Sequence, residues 1–247
     1  MLDKKAFEEA KKKIIGLDRQ RFGIGTLSEK TLHAILKNYC EPDEDRQEIP
    51  IGGFVADIYA GGEITEIQTR QFDKLRGKLS AFLPLYPVTI VYPIPRETTI
   101  IWIDAESGEL VRKRKSPVKG SPYTVFPELY RIKMFLKDPN IRLRLILLDV
   151  EEYKLLHSQG RGRRRKASRY DRIPTELVQE LEIGRPEDFM QFVPPELEEG
   201  FTSKDFARAA HISVSLAQTV LNILYHMETV DRIGKEGQSY LYGIREQ

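Results

Sequence analysis

The chain has 247 residues, of which 40% are hydrophobic and 31% are charged, as in an ordinary globular protein. None of its apolar runs is long enough to cross a bilayer as a helix, and its first residues lack the apolar core of a secretory signal, so a cytoplasmic location is expected, without a membrane partner. The single cysteine, Cys40, excludes an internal disulfide and a zinc cluster built from cysteines.

The net charge of +2 conceals an uneven distribution along the chain. Residues 1–175 hold 33 Lys and Arg against 24 Asp and Glu, whereas residues 176–199 hold eight acidic residues against Arg185 alone. Residues 200–247 hold five of each sign. A basic body favours an anionic partner, and nucleic acid is the first candidate. The alternative is a solvated, lysine-rich surface with no specific partner.

Hydrophobic periodicity, turns and capping signals predict the elements in chain order. Residues 1–23 are predicted to form a charged amphipathic helix. Thr26-Leu-Ser-Glu29 has the spacing of a capping box and opens a helix over 27–39. The segments that follow alternate in type: strands over 54–59, 64–69, 88–92 and 143–150, a hairpin over 100–111, and helices over 71–83 and 124–136. This alternation predicts an α/β domain over 24–155.

Residues 156–199 are predicted to be irregular. The first part, 160–172, has the composition of a flexible basic loop, and the part from 174 is an acidic connector that contains four prolines. If nucleic acid binds, the basic loop is expected to contact its phosphates, as is the basic run Val111–Lys115. The residues of the loop proposed to do so are Arg161, Arg163, Arg164, Arg165, Lys166 and Arg169.

The last segment, 200–247, is predicted to be a separate compact unit. Thr202 and Asp205 have capping-box spacing, Ser213 is a predicted N-cap of a second helix, and two short strands flank a polar turn near Gly237. The order helix, turn, helix and hairpin is similar to a winged helix-turn-helix. On the second helix, the residues predicted to face away from the core, and so to be available to a DNA groove, are Ser215, Gln218, Thr219 and Asn222. Because the unit has no net charge, it can alternatively dock a protein or form a homodimer.

The most informative stretch is the predicted hairpin around Gly61-Gly62. Two glycines between strand-like runs predict a two-residue turn, which sets the register of the two strands. Asp57 then lies directly opposite Glu66, and alternation puts Gln68 on the same face. Directly opposed like charges are destabilising, and both faces of this hairpin carry apolar neighbours. Such a pair is tolerated when it is exposed to water, when it shares a proton, which requires a strongly raised pKa, or when it binds a cation. A hard divalent cation, Mg²⁺ or Mn²⁺, held by the two carboxylates and by the carbonyl of Ile67, is the simplest explanation.

These residues resemble the core of the PD-(D/E)xK, or restriction-endonuclease-like, nuclease superfamily. That core consists of a helix, a hairpin with Asp and then Glu-x-Lys, a helix and a strand. The resemblance implies a mixed sheet flanked by helices, here followed by a small winged-helix domain. It also implies that Asp57 and Glu66 bind Mg²⁺, with Glu29 as a further acidic ligand. It covers about 130 residues and rests on three or four motif positions.

The sequence departs from the family pattern at Gln68, where the usual residue is lysine. Glutamine can orient a water molecule but supplies no charge. Some members of the superfamily, including the competence-protein branch that this hairpin resembles, have Glu-x-Gln, and others place the lysine on the following helix. Lys74 and Lys78 lie on that predicted helix, so both are candidate catalytic residues.

Three functions are compatible with these patterns. The first is a metal-dependent nuclease that hydrolyses nucleic-acid phosphodiesters, with DNA a better candidate substrate than RNA. The second is a non-catalytic nucleic-acid-binding or regulatory protein built on a degenerate nuclease fold. The third is a protein-interaction adaptor. The four histidines, His33, His157, His211 and His226, show no second ligand at metal-binding spacing and are interpreted as structural.

Overall fold

The structure is a computed structural model that describes residues 2–22, 31–157 and 166–245. It confirms an α/β architecture, with a large mixed sheet flanked by helices. The helices are α1 (Lys4–Phe22), α2 (Thr31–Cys40), α3 (Arg76–Phe82), α4 (Phe126–Arg131), α5 (Ser203–Ala209) and α6 (Val214–His226). The strands are β1 (Gln47–Ile51), β2 (Phe54–Ala60), β3 (Glu63–Ile67), β4 (Val88–Asp104), β5 (Leu110–Lys115), β6 (Ile141–His157), β7 (Lys166–Ile183), β8 (Val230–Glu236) and β9 (Ser239–Ile244). Among the described residues, no helix is long and apolar enough to span a membrane.

The large sheet combines antiparallel and parallel pairs. Its order is β1-β2-β3-β4-β6-β7, and β5 pairs with the far part of β4. Strands β3, β4 and β6 run parallel to one another, whereas the other neighbours are antiparallel. Two glycine pairs with positive φ, Gly52-Gly53 and Gly61-Gly62, make the tight turns of the first three strands. The second of these turns was predicted, whereas β1 was not.

The sheet is buried on both faces, as its apolar central strands require. In β6, Leu145 and Leu147 belong to one core, and the alternate residues Ile146 and Leu148 belong to a second core. The first core is covered by α3, α4, α5 and α6, and the second by α1 and α2. Helices α2 and α3 therefore approach the sheet from opposite faces.

Strands β4 and β6 are much longer than predicted. The separate predicted strands over 88–92 and 100–104 are one continuous strand, β4, which continues past the end of β3 with an irregularity between Pro95 and Glu97. At the irregularity, Arg96 and Asp149 form two hydrogen bonds, of 2.8 and 2.5 Å. We call residues 98–115, 150–157 and 166–174 the distal sheet. It extends beyond the end of β3.

The predicted irregular segment over 156–199 is wrong in its central part. Residues 166–183 form β7, which pairs antiparallel with β6 along its length. The segment is rich in charge because, among the strands that the structure describes, β7 is the last of the sheet and pairs with β6 alone. Pro174 is accommodated where the register shifts near Val150, a place where a strand tolerates proline. Only residues after Ile183 form the predicted connector, and they include a 3₁₀ segment over 186–192.

The C-terminal segment has the predicted elements but is not a separate unit. Helices α5 and α6 and the β8–β9 hairpin follow in the predicted order. Their apolar residues, however, join the same core as the sheet and α4. The Phe206 ring lies 6.1 Å from that of Tyr123, and the Phe126 ring lies 5.0 Å from that of Phe192. The expected boundary at residue 200 is therefore crossed by a continuous aromatic core.

Thr202 caps α5 with the capping box predicted from its spacing to Asp205. The Thr202 hydroxyl accepts hydrogen bonds from the N–H groups of Lys204 and Asp205, and the Asp205 carboxylate accepts one from the N–H of Thr202. We expect Thr202→Ala to lower the free energy of unfolding by about 1 kcal/mol, because these N–H groups lose their partner. Urea denaturation would measure the change. Thr202→Ser is the control, and an alanine variant as stable as the serine variant would contradict the role of the cap.

Candidate functional site

The two predicted carboxylates face each other at the end of the β2–β3 hairpin. The register has Ile58 opposite Thr65 and Tyr59 opposite Ile64, which puts Asp57 opposite Glu66 one position further along. The side chain of Glu66 is only 2% exposed, whereas that of Asp57 is 20% exposed. The hairpin thus holds one carboxylate in the protein interior and the other near its surface.

Asp57 is held by hydrogen bonds from α2 and β3. The ring Nε2 of His33 donates to Oδ2 of Asp57 at 3.2 Å, and the backbone N–H of Ile67 donates to the same oxygen at 2.8 Å. Burial by itself raises the pKa of a carboxyl group, but the contacts with His33 and Ile67 and the charge of Lys78 outweigh it and lower the pKa of Asp57. Asp57 is therefore an anion at neutral pH.

Glu66 is held by α3 from the other face of the sheet. The ammonium group of Lys78 donates to Oε2 of Glu66 at 2.7 Å, while the buried Oε1 has no hydrogen-bond partner among the described residues. Burial, followed by the negative charge of Asp57, raises the pKa of Glu66 to about 7, although Lys78 opposes this shift. The two carboxylates thus differ strongly in proton affinity, an arrangement that is common at functional sites.

The other predicted residues of the site occupy different positions. The amide of Gln68 donates hydrogen bonds to the carbonyl groups of Arg70 and Gln71 and so holds the start of the following turn. Lys74 is exposed, in a 3₁₀ segment that precedes α3 where one continuous helix was predicted. Ile67 contacts Asp57 through its N–H, whereas its carbonyl was predicted to bind metal. Glu29 lies outside the described residues.

The carboxylates retain oxygens that fit a hard cation. Both hydrogen bonds to Asp57 end on Oδ2 and the one to Glu66 ends on Oε2, so that Oδ1 and Oε1 have no partner within the described residues. Carboxylate oxygens are the ligands that Mg²⁺ and Mn²⁺ prefer. In the same part of the chain, no group of three or more His, Cys, Asp or Glu residues is arranged to hold a metal. Asp57 and Glu66 would hold a cation as a pair, with water or substrate oxygens completing its coordination.

The sequence did not identify His33 as part of the site. It was interpreted as structural, and the structure brings it to Asp57, which is 24 residues away in the chain. His33 lies between the buried residues Leu32 and Ile35 of α2, so its own segment resembles an ordinary packed helix. The contact arises because α2 packs across the hairpin, and no local signal indicates it.

The residues predicted to bind nucleic acid are divided between two regions. Arg161, Arg163, Arg164 and Arg165 lie outside the described residues, and Lys166 and Arg169 belong to β7. On α6, the hydroxyl of Thr219 donates to the carbonyl of Ser215, and Asn222 accepts a hydrogen bond from Lys133 at 2.8 Å. Gln218 and Asn222 line a groove of about 310 Å³ between α6 and the β8–β9 hairpin. Within the predicted set on α6, the structure thus brings these two residues together in this groove.

Comparison with known proteins finds relatives of the sheet region. A family model described as "Domain of unknown function (DUF8091)" matches residues 30–184, from the start of α2 to the end of β7. An uncharacterized protein from Treponema pallidum (strain Nichols) is 31% identical over 186 residues, which cover 75% of this chain and 74% of the relative. No solved structure matches the chain.

Proposed function

The chain belongs to the family described as "Domain of unknown function (DUF8091)", and we propose that it is a divalent-metal-dependent nuclease. Its substrate would be a nucleic-acid phosphodiester, with DNA preferred to RNA. The observation that carries the proposal is the buried Glu66, opposed to Asp57 and in contact with Lys78 at 2.7 Å. Two carboxylates and one ammonium group at the end of a hairpin form a set suited to phosphate chemistry.

The order of elements around the site supports this proposal. Helix α2, the β2–β3 hairpin, α3 and β4 follow one another as in the restriction-endonuclease-like core, and β4 runs parallel to β3. Similarly, α5, α6 and the β8–β9 hairpin follow the order of a winged helix. We therefore propose a restriction-endonuclease-like core with a winged-helix segment packed against it.

Each side chain of the site would have a distinct role. Mg²⁺ or Mn²⁺, when bound, would supply Lewis-acid assistance at the scissile phosphate and would make a water molecule more acidic. Asp57 and Glu66 would hold the cation, and His33 fixes the orientation of Asp57 through their hydrogen bond. Lys78 supplies the positive charge that glutamine at position 68 cannot, and it stabilises the charge that develops on the phosphate. The lysine would thus act from the helix that follows the hairpin.

Metal titration together with a cleavage panel tests the proposal. Mg²⁺ and Mn²⁺ would be titrated calorimetrically into the wild type and into Asp57→Asn/Glu66→Gln, and single- and double-stranded DNA and RNA would be incubated with each protein. We expect saturable binding and metal-dependent cleavage by the wild type, and loss of both in the double variant. Glu63→Gln, in the same hairpin but paired with Arg142, is the matched control and should retain both.

A second function is favoured by the position of Gln68, whose side chain holds the turn. In a non-catalytic nucleic-acid-binding protein, salt-dependent DNA binding would persist with neither metal binding nor cleavage of any substrate. That result in the wild type would contradict the proposed nuclease activity and support a non-catalytic nucleic-acid-binding function.

A further inference from the structure

Strand β5 separates its four basic side chains between two faces of the distal sheet. All its residues are exposed. Arg112 lies opposite Trp102 and Arg114 lies opposite Ile100, so these two arginines share the face of Trp102. The alternate residues, Lys113 and Lys115, lie on the other face.

The indole ring of Trp102 supports both arginines. The guanidinium carbons of Arg112 and Arg114 each lie 5.5 Å from the ring centroid. Stacking of this kind orders a guanidinium group while its N–H donors stay available to a phosphate. The two arginines are therefore held in place and still able to bind an anion.

The two faces differ in their remaining charge. Lys113 forms an ion pair with Glu151 at 2.9 Å, and Lys115 forms one with Glu97 at 3.0 Å. In the part of the chain that the structure describes, neither Arg112 nor Arg114 is paired with a carboxylate. The face of Trp102 thus presents two arginines whose charge is not neutralised, whereas both lysines of the other face form ion pairs with carboxylates.

The distal sheet and the candidate site are connected by β4. The backbone N–H of Gln68, directly after β3, donates to the carbonyl of Val91 in β4. Trp102 lies eleven residues further along the same strand, a distance of at most about 37 Å at the rise of an extended strand. A nucleic-acid strand advances about 3.4 Å per nucleotide in a duplex, so the separation corresponds to roughly one helical turn.

We propose that the Trp102 face of the distal sheet binds the phosphate backbone of duplex DNA through Arg112 and Arg114. The choice of nucleic acid rests on the proposed function. The binding surface itself rests on the unneutralised, ordered guanidinium groups. The contact makes no use of base identity, since arginines on an exposed strand recognise phosphates by charge and hydrogen bonding. It would hold substrate about one turn from the carboxylates.

Anisotropy measurements with a labelled duplex of about 30 base pairs, roughly three turns, would test the surface. EDTA would be present, so that binding is measured without cleavage and independently of the metal site. Arg112→Gln/Arg114→Gln would be compared with Lys113→Gln/Lys115→Gln, which removes the same charge from the same strand on the other face. Glutamine keeps much of the side-chain stem, and unfolding curves of both variants would verify that the fold is intact.

We expect the arginine variant to bind at least about tenfold more weakly at physiological salt, and the slope of log affinity against log salt to fall by about 2. The lysine variant should stay within about threefold of the wild type. Equal losses in the two variants, or a wild type that does not bind duplex, would overturn the proposal. Arginine-dependent binding by a protein that cleaves nothing would instead contradict the nuclease and leave this surface established.

Discussion

Replacing Lys78 with methionine is expected to reduce the rate of metal-dependent phosphodiester cleavage by about 100- to 1,000-fold, the usual cost of removing one preorganised charge at a reacting phosphate. The ammonium group lies 2.7 Å from Oε2 of Glu66. It therefore lies beside the carboxylates, where negative charge would develop during the reaction. Methionine keeps a similar length and removes the charge. Single-turnover cleavage at saturating metal would measure the loss.

Lys74→Met is the matched control, because Lys74 is exposed and begins the same helical region one turn earlier. Its cleavage rate should remain within about threefold of the wild type. The pH profile separates a chemical role for Lys78 from a structural one. Lys78 lowers the pKa of Glu66, so the variant should need a higher pH to ionise Glu66 and bind metal. Equal rates for the two methionine variants would exclude Lys78 from the reaction.

Replacing Glu66 with glutamine is expected to stabilise the protein at alkaline pH. In the folded protein the pKa of Glu66 is raised from 4.5 to about 7, because burial and the charge of Asp57 disfavour the anion. The folded state therefore binds the proton more tightly than the unfolded state does. The resulting stabilisation is complete below pH 4.5, decreases as the pH rises, and is lost by about pH 7. At pH 8 the wild type keeps a buried anion that the glutamine variant lacks.

The size of this effect follows from the shift in pKa. Each pKa unit corresponds to about 1.4 kcal/mol. The difference in free energy of unfolding between the glutamine variant and the wild type should therefore shift in favour of the variant by up to about 3 kcal/mol from pH 4.5 to pH 8. Urea denaturation at the two pH values would measure the gain. Glu63 lies in the same hairpin with a half-exposed side chain, so Glu63→Gln should change stability by less than about 0.5 kcal/mol at either pH. A Glu66→Gln variant with the pH dependence of the wild type would contradict the burial of an ionisable carboxyl at this position.

Metal binding and stability at Glu66 are thus expected to oppose each other. A cation requires the carboxylate anion, and the fold without a cation favours the neutral acid. Metal affinity should accordingly rise between pH 6 and pH 8, over the range in which Glu66 ionises. A buried carboxyl group that lowers the stability of the folded protein when it ionises is typical of a functional site.

Local signals were sufficient to predict that the two carboxylates of the candidate site lie opposite each other. Gly61-Gly62 fixed a two-residue turn, and from that turn the register that opposes Asp57 to Glu66 could be counted. The capping box of Thr202 was equally local, and its hydrogen bonds are present. Both features depend on residues a few positions apart, which is the range over which turn and cap preferences act.

The partners of the carboxylates could not be predicted in this way. His33 and Lys78 reach the site from helices that cover opposite faces of the sheet, so their contacts depend on tertiary packing. Lys74 and Lys78 were equivalent in the sequence, since both lie on the segment after the hairpin. Only the packing of α3 places one beside Glu66 and the other in solvent.

Long-range pairing also explains the errors in the fold. The basic and proline-containing composition of β7 is typical of a loop. The segment nevertheless forms a strand because it pairs with β6, a strand of 17 residues. The separate C-terminal unit was inferred from its own order of helix, turn, helix and hairpin, which follows a proline-containing connector. These local signals do not report tertiary packing, and the aromatic core continues from the sheet into this segment.

This continuous aromatic core has a consequence for how the protein would measure its substrate. If α6 contacts DNA, as the proposed winged helix implies, it does so from a fixed position relative to the sheet, because Phe206 and α6 pack on the same core as the sheet. A flexible linker would let cleavage occur at many offsets from a bound sequence, since its effective concentration is spread over a large volume. Packing on a shared core instead fixes the distance between α6 and the carboxylates. Scission would fall at one fixed spacing from whatever the helix binds.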